Sequence, residues 1–525
     1  MLFASTCGMW LPARIVLRQF SALWAAEMVR RVASFALRHV PCQNGTHSHC
    51  SCVRLADVRI MLDQITNRLP RPCSTRTLRA DSAVAAARGV ALSSRATRAL
   101  FILAWLAIPN FPTALAQAQS SDEQGAISDQ ESGRPAPIKR VAAIVTEYRH
   151  NSHADVIVSR LLLTDTLDGK GKEPRLKLAS LYTDQRPSND TSRLLAASHR
   201  FPIYDTIAGA LTLGTGKLAV DGVLLIAEHG DYPYSSTGNH QYPKRRFWDE
   251  TIAVFRASGR VVPVFVDKHL ADNWKDAKHL FDTAREMQIP LMAGSSVPGT
   301  WRHPPADVES GARIDRIVAI TYGSTDAYGF HALEAVQSLA EQRAGGETGI
   351  RSVQMLSGDD VWSAKRQQQF DPAMFQAAWD RLPDRREDAP LEELAKDPKL
   401  MIVEYNDGLR LDLFELNGAA SGWSAAWRYA SDGRIESTQF WTQEARPGYH
   451  FQLLLNGIER MVYSGRPSWN AERTLLTSGA LDALLQSHVA DSTKIHTPYL
   501  DVAYEPIWRW QKPSPPPPGR PWSEQ

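Results

Sequence analysis

Cysteine is missing from most of this 525-residue chain: all five (Cys7, Cys42, Cys50, Cys52 and Cys73) fall in the first 73 residues. Nothing downstream can form a disulfide or a thiolate metal site, and such a chain needs no oxidative folding, which is compatible with export. Lysine is missing from residues 1–99, which hold 14 arginines and only four acids, Glu27, Asp57, Asp63 and Asp81. An excess of positive charge is missing from the remainder. Residues 100–525 carry 45 basic and 53 acidic residues, a formal charge of −8, which excludes a basic nucleic-acid footprint. Long apolar runs are missing too: residues 100–108 are too short to cross a bilayer as a helix.

That short run has another use. Arg95 and Arg98 precede it, and Ala114-Leu-Ala116 and Ala116-Gln-Ala118 follow it, the pattern of a secretory signal peptide with a small-residue cleavage site. The expectation is a signal peptide over 95–118, an exported protein (periplasmic or secreted), and no membrane span in the mature chain. Residues 1–94 then read as an Arg/Cys-rich extension that is not native or is disordered. The cluster from Cys42 to Cys52, with His47 and His49 between, crowds its ligands unlike the structural zinc spacings and reads as chance. Residues 119–138 look like a linker.

From residue 139 onward, short apolar runs alternate with helical patterns. Strands are expected at 140–146, 176–182, 203–204, 220–227, 261–266 and 289–293. Helices fall between them, at 153–163, 191–199 and 206–213, then around Trp248, Ile252 and Phe255, and after an Asp272 cap. This βαβ alternation predicts an α/β fold, a Rossmann-like doubly wound parallel sheet over 139–305. Alternating runs at 400–405, 409–416, 422–429 and 438–441 predict antiparallel strands in an α+β domain over 306–500. A Pro-rich tail follows over 501–525.

Two of the parallel strands stop abruptly at ionisable residues, one at Glu228, His229 and Asp231, the other at Asp267, Lys268 and His269. In an open parallel sheet, ligands bind in the crevice outside the carboxyl ends of the strands. Glu147, His150 and His153, after the first strand, would add to the same polar set. The loop 232–244 is placed to act as a lid or specificity loop.

The block from Val261 to Pro305, with Asp267-Lys268-His269, Pro290-Leu-Met-Ala-Gly-Ser and Trp301-Arg302-His303-Pro304, resembles the glucose-fructose oxidoreductase, inositol dehydrogenase and MocA family. The resemblance covers roughly residues 139–500. It implies a Rossmann domain with a C-terminal open-faced antiparallel sheet, and hydride transfer between NAD or NADP and a sugar or polyol. It implies catalytic roles for Lys268, Asp267, Asp326 and His331, with Lys268 touching the substrate hydroxyl and His331 as general acid/base. Glu228, His229, Asp231, His269 and Arg302 would bind a carbohydrate-like substrate. Thr146 and Asp184 would face the cofactor, and the C-terminal sheet would carry a homo-oligomer.

The turn that should hold the pyrophosphate departs from this pattern. It reads Thr146-Glu-Tyr-Arg-His-Asn-Ser-His153, with no glycine, and a glutamate and bulky side chains take the space the diphosphate needs. That argues against NAD or NADP in the usual pose. Two other readings stay open: an exported sugar-binding protein, and a hydrolase or isomerase in which the carboxylates and imidazoles hold a metal.

Overall fold

A computed structural model describes residues 137–169, 171–442 and 448–515. The expected extension and signal peptide, and the Pro-rich tail beyond residue 515, lie outside these residues, as does most of the linker.

Six parallel strands form the first sheet: β1 (Lys139–Val145), β2 (Leu176–Thr183), β3 (Ile203–Tyr204), β4 (Gly222–Ile226), β5 (Val264–Asp267) and β6 (Leu291–Gly294). Their order, β3-β2-β1-β4-β5-β6, is that of a Rossmann sheet, and the order reverses between β1 and β4. The strands β1 and β4 are buried along nearly their whole length, as expected when helices cover both faces. On one face lie α3 (Ile207–Thr212), α4 (Lys244–Ser258) and α5 (Trp274–Glu286). The opposite face is covered by α1 (His153–Val158), by α2 (Ser192–His199) and by α10 (Tyr449–Ser464), the last supplied from far downstream. The last helix of the first set starts differently from expectation. Asn273, not Asp272, caps α5, and its side chain accepts from the Asp276 amide.

Eight strands form the second sheet, in the order β15-β10-β11-β12-β8-β13-β14-β7. They are β7 (Trp301–His303), β8 (Ile314–Thr321), β10 (Ile350–Ser357), β11 (Lys399–Tyr405), β12 (Arg410–Glu415), β13 (Trp423–Tyr429), β14 (Ile435–Trp441) and β15 (Ile495–His496). All neighbours are antiparallel except β8 and β12, which run parallel. A separate two-stranded pair, β9 (Glu347–Thr348) with β16 (Ala503–Tyr504), ties down the chain's end.

Side chains of β8 alternate between two cores. Ile317 and Ala319 face α6 (Phe330–Ala340) and α11 (Ala471–Val489), while Val318 and Ile320 face the other side. That other side is not open. The helices α7 (Asp359–Arg366), α8 (Pro372–Trp379) and α9 (Leu391–Leu394) cover it, burying Trp362, Met374 and Trp379 against Phe414 and Ile402. The open-faced sheet implied by the family resemblance is therefore closed by the chain's own helices. The exposed large apolar side chains, among them Ile138, Leu194 and Val489, are scattered.

Residues 501–515 do not form a free tail. They run back over the molecule as a strap, held by Trp510 Nε1 on the Thr300 carbonyl at 2.7 Å and by the Ile507 amide on Asn470 Oδ1 at 2.8 Å.

Candidate active site at the strand ends

The ends of β4, β5 and β6 meet one turn of the second domain, and a buried lysine joins them. Lys244 opens α4 and points inward, where its Nζ donates to Glu228 Oε1 at 2.7 Å, to the Asp267 carbonyl at 2.8 Å and to the His269 carbonyl at 2.9 Å. Three donors thus find three acceptors, which is what allows an ammonium to be buried. Lys268 approaches the second Glu228 oxygen at 3.4 Å. Burial alone would raise the Glu228 pKa, but the two ammoniums hold the carboxyl well below the usual range.

The imidazole of His269 is pushed down to about 3 by burial and by Lys244, so it is neutral. Its Nε2 lies 3.1 Å from the Asp326 carbonyl. A carbonyl only accepts, so Nε2 carries the proton. Asp326, in the turn before α6, accepts from the His240 amide at 3.3 Å, and burial together with Glu228 raises its carboxyl to about 6.

Two further histidines sit side by side, with ring centroids 6.5 Å apart and planes at 26°. Asp267 Oδ2 holds His153 Nδ1 at 2.6 Å. An ionised carboxylate only accepts, so this contact places the proton on Nδ1 and leaves Nε2 as a base. The second histidine, His331, contacts Ser295 Oγ at 2.6 Å through Nδ1. That hydroxyl accepts from the Val297 amide at 3.0 Å, and among the described residues His331 Nδ1 is the acceptor its own proton meets, so Nδ1 accepts and Nε2–H is the group left to donate. Burial and Lys268 lower the His331 pKa well below the ordinary value. The pair therefore presents one proton acceptor and one proton donor. Phe451 of α10 closes one side, edge-on to His153 at 5.2 Å, and Trp423 lies 6.0 Å from His331.

Strain marks the same place. Lys268 and His229 adopt left-handed backbone, φ 60° and 68°, which non-glycine residues hold only when their surroundings enforce it.

Not every expected residue comes here. His229 does: its Nδ1 is 3.4 Å from the His153 amide, and burial followed by His153 lowers its pKa to about 3. Asp231 is exposed, and only its backbone is held, by Gln185. Arg302 is placed elsewhere. It lies buried in β7, paired with Asp307 at 2.7 Å and stacked near Phe440 and Trp510, because its guanidinium serves the second core. Thr146 spends its hydroxyl on the Glu228 carbonyl at 2.7 Å and its own carbonyl on the Gln185 amide at 2.7 Å. Asp184 ends β2, where a Rossmann protein places the acid for the ribose. Its carboxylate is already bonded to Tyr182 at 2.6 Å, Tyr232 at 2.7 Å and Arg246 at 2.5 Å. Tyr232 and His240 thereby fold the loop 232–244 down over the strand ends.

The residues present do not fit a dinucleotide in the usual pose. Its pyrophosphate would lie on the β1–α1 turn and the helix N-terminus. There Glu147 is buried beside Arg149, Nε to Oε1 2.5 Å, and Tyr148 is fully buried with its hydroxyl on Ser159 at 2.7 Å. The amides of α1 are used within the chain: that of Asp155 by Ser152, that of His153 by His229. Among the described residues no group of three or more His, Cys, Asp or Glu is arranged to hold a metal ion.

Lys244 and Ser295 carry much of this site and escaped the sequence reading. One clue existed for Lys244: a lysine at the first position of a helix opposes the helix dipole and needs a partner.

No family model matches the sequence, and no curated protein matches it. Solved structures with a similar chain course include GenD2 from gentamicin A biosynthesis in complex with NAD, with a TM-score of 0.45 at 15% identity over 70% of this chain and 98% of that one. Another is apo scyllo-inositol dehydrogenase from Lactobacillus casei, TM-score 0.42 at 10% identity over 68% and 98%. A third is biliverdin reductase from Synechocystis with biliverdin and NADP+, TM-score 0.39 at 12% identity over 67% and 99%. Inositol dehydrogenases are among the proteins the sequence resembles. The fold itself, a Rossmann-like parallel sheet followed by a mostly antiparallel one, is read from the strand order.

Burial of neutral histidines sets a pH dependence. Unfolded, His229, His269 and His331 would titrate near ~6.5. Below that value the unfolded chain binds more protons, and stability falls as pH drops toward 3. Asp326 acts in the opposite sense between its unfolded value, about 3.9, and about 6, as do the carboxyls of Asp272, Glu334, Asp412 and Glu459 that burial also raises; within the site it is one group against three. Urea unfolding will show lower stability at pH 5 than at pH 7. His269→Gln will flatten that slope by up to about 1.4 kcal/mol per pH unit. A flat or inverted profile in the parent chain contradicts the neutral-histidine assignment.

Proposed function

We propose that this chain binds a sugar or polyol at the strand ends and catalyses proton transfer on it, with His153 as base, His331 as acid and Lys268 beside them. The observation that carries this reading is the pair of oppositely prepared imidazoles, one made an acceptor by Asp267 and the other a donor by Ser295. In an isomerisation, His153 Nε2 removes a proton from the carbon next to a substrate carbonyl. His331 Nε2–H donates to the carbonyl oxygen that gains charge, and the Lys268 ammonium stabilises that oxygen. The electrons move within the substrate, so no external hydride acceptor is required. Asp326 and Glu228 position the two lysines and His269 rather than touch substrate.

A second reading, an oxidoreductase acting on a sugar or polyol with NAD or NADP, is favoured by the position of Asp184 at the end of β2 and of Lys268 at the end of β5. It requires the loop 232–244 and the Glu147 turn to rearrange. We also propose export with cleavage near Ala118, supported by the pattern of residues 95–118. N-terminal sequencing of the mature chain should begin after that residue, and a start upstream of residue 95 overturns it.

Incubation with a panel of aldoses, ketoses and inositols in deuterium oxide should place deuterium on a carbon-bound position of at least one of them. His153→Gln and His331→Gln should each slow this exchange by about 10²–10⁴-fold, while Arg302→Lys should not. Hydride transfer from a sugar to NAD or NADP, with no exchange, would establish the second reading instead.

A further inference from the structure

A cavity of about 840 Å³ lies at the β6 edge of the parallel sheet, apart from His153 and Lys268. Its walls come from the turn after β6, one face of α10, the start of α11 and the strap. Among its lining residues are Arg460, Arg473, Arg509 and Lys512, and no carboxylate is among them. Arg473 is neutralised by Glu341, which meets its Nε at 2.9 Å. Arg460 has no such partner: its neighbour Glu459 is turned to the Arg175 amide at 2.9 Å. Among the described residues no acid lies within ion-pairing distance of Lys512, and Arg509 donates to the Ser310 hydroxyl.

A second observation points to a ligand. Ser296 lines this cavity and is 4% exposed, and its hydroxyl, buried behind the wall, has no hydrogen-bond partner. A buried hydroxyl without a partner is uncommon and is satisfied when a ligand oxygen reaches it. Asn456 stands one helical turn before Arg460 on α10, adding an amide to the same wall. Trp469 and Trp508 supply aromatic surface, and both are fixed: Trp469 Nε1 donates to the Ala293 carbonyl at 2.7 Å, and the Trp508 carbonyl accepts from Gln342 at 3.1 Å.

We infer that this cavity binds an anionic, hydroxylated small molecule, a carboxylated or phosphorylated sugar. Arg460 and Lys512 meet its charge, Ser296 and Asn456 its hydroxyls, and an indole its ring. Ser295 borders both places, but neither His153 nor Lys268 lines the cavity, so the inference does not rest on the proton-transfer reading.

Calorimetric titration of the full chain with glucuronate, glucose 6-phosphate, glucose and inorganic phosphate tests it. Glucuronate or glucose 6-phosphate should bind at least tenfold more tightly than glucose or phosphate, and the stronger of the two identifies the acid. The double variant Arg460→Ala, Lys512→Ala should weaken that binding at least about tenfold, as expected for lost charge-assisted hydrogen bonds. Ser296→Ala, which removes only a hydroxyl, should weaken it without altering the circular dichroism spectrum, and Lys268→Met should leave it unchanged. Equal binding of glucose, equal binding of phosphate alone, retained affinity in Ser296→Ala, or no binding of either anionic sugar overturns the assignment.

Discussion

The ammonium of Lys244 is the constraint on which the strand-end site depends. It closes three bonds at once, to the Glu228 carboxylate and to the carbonyls of Asp267 and His269, and so fixes the ends of β4 and β5 and the start of α4 relative to one another. An ion pair this deeply buried returns little net stability, because desolvation offsets the attraction. What it supplies is position. With the Asp267 carbonyl held, the Asp267 carboxylate is aimed at His153. With Glu228 ionised, Lys268 is drawn to its other oxygen in a backbone conformation a lysine otherwise avoids.

The same network explains why the usual dinucleotide pose does not fit this crevice. The Rossmann crevice binds pyrophosphate through emptiness and exposed amides: glycines leave room, and helix N–H groups point into it. Here Glu147 and Tyr148 take the room, Ser152 and His229 take the amides, and Tyr232 with Arg246 takes Asp184. These groups are engaged within the chain, Glu147 through its ion pair with Arg149. The result is a polar, nearly sealed cluster in which burial keeps His229, His269 and His331 neutral and the imidazoles differ in which nitrogen their partners address. That difference, more than any single residue, is what gives the site acid–base capacity.

Much of this was legible in the sequence, for physical reasons that also mark where legibility stops. The strands β1, β4 and β5 are continuous apolar runs because both faces are covered, and their ends are abrupt because the crevice begins there. Those features located Glu228, Asp267, Lys268 and His269, and the glycine-free turn was visible as written. Arg302 misled, because an arginine near a strand end looks the same whether it faces a ligand or a buried aspartate. The pairing of His153 with Asp267 spans more than a hundred residues and has no local signature. The covering helices α7 and α8 were hidden as well. Their apolar positions, such as Trp362 and Met374, lie between segments already read as strands, and only the sheet they cover gives those positions a face.

The most direct test of the account is fluorescence titration of the mature chain with NADH and NADPH, paired with a search for nicotinamide released when the purified protein is denatured in acid. The account predicts no saturable enhancement of nicotinamide fluorescence and no released nicotinamide. Stoichiometric release, or saturable binding that Glu147→Gly tightens no further, would contradict it.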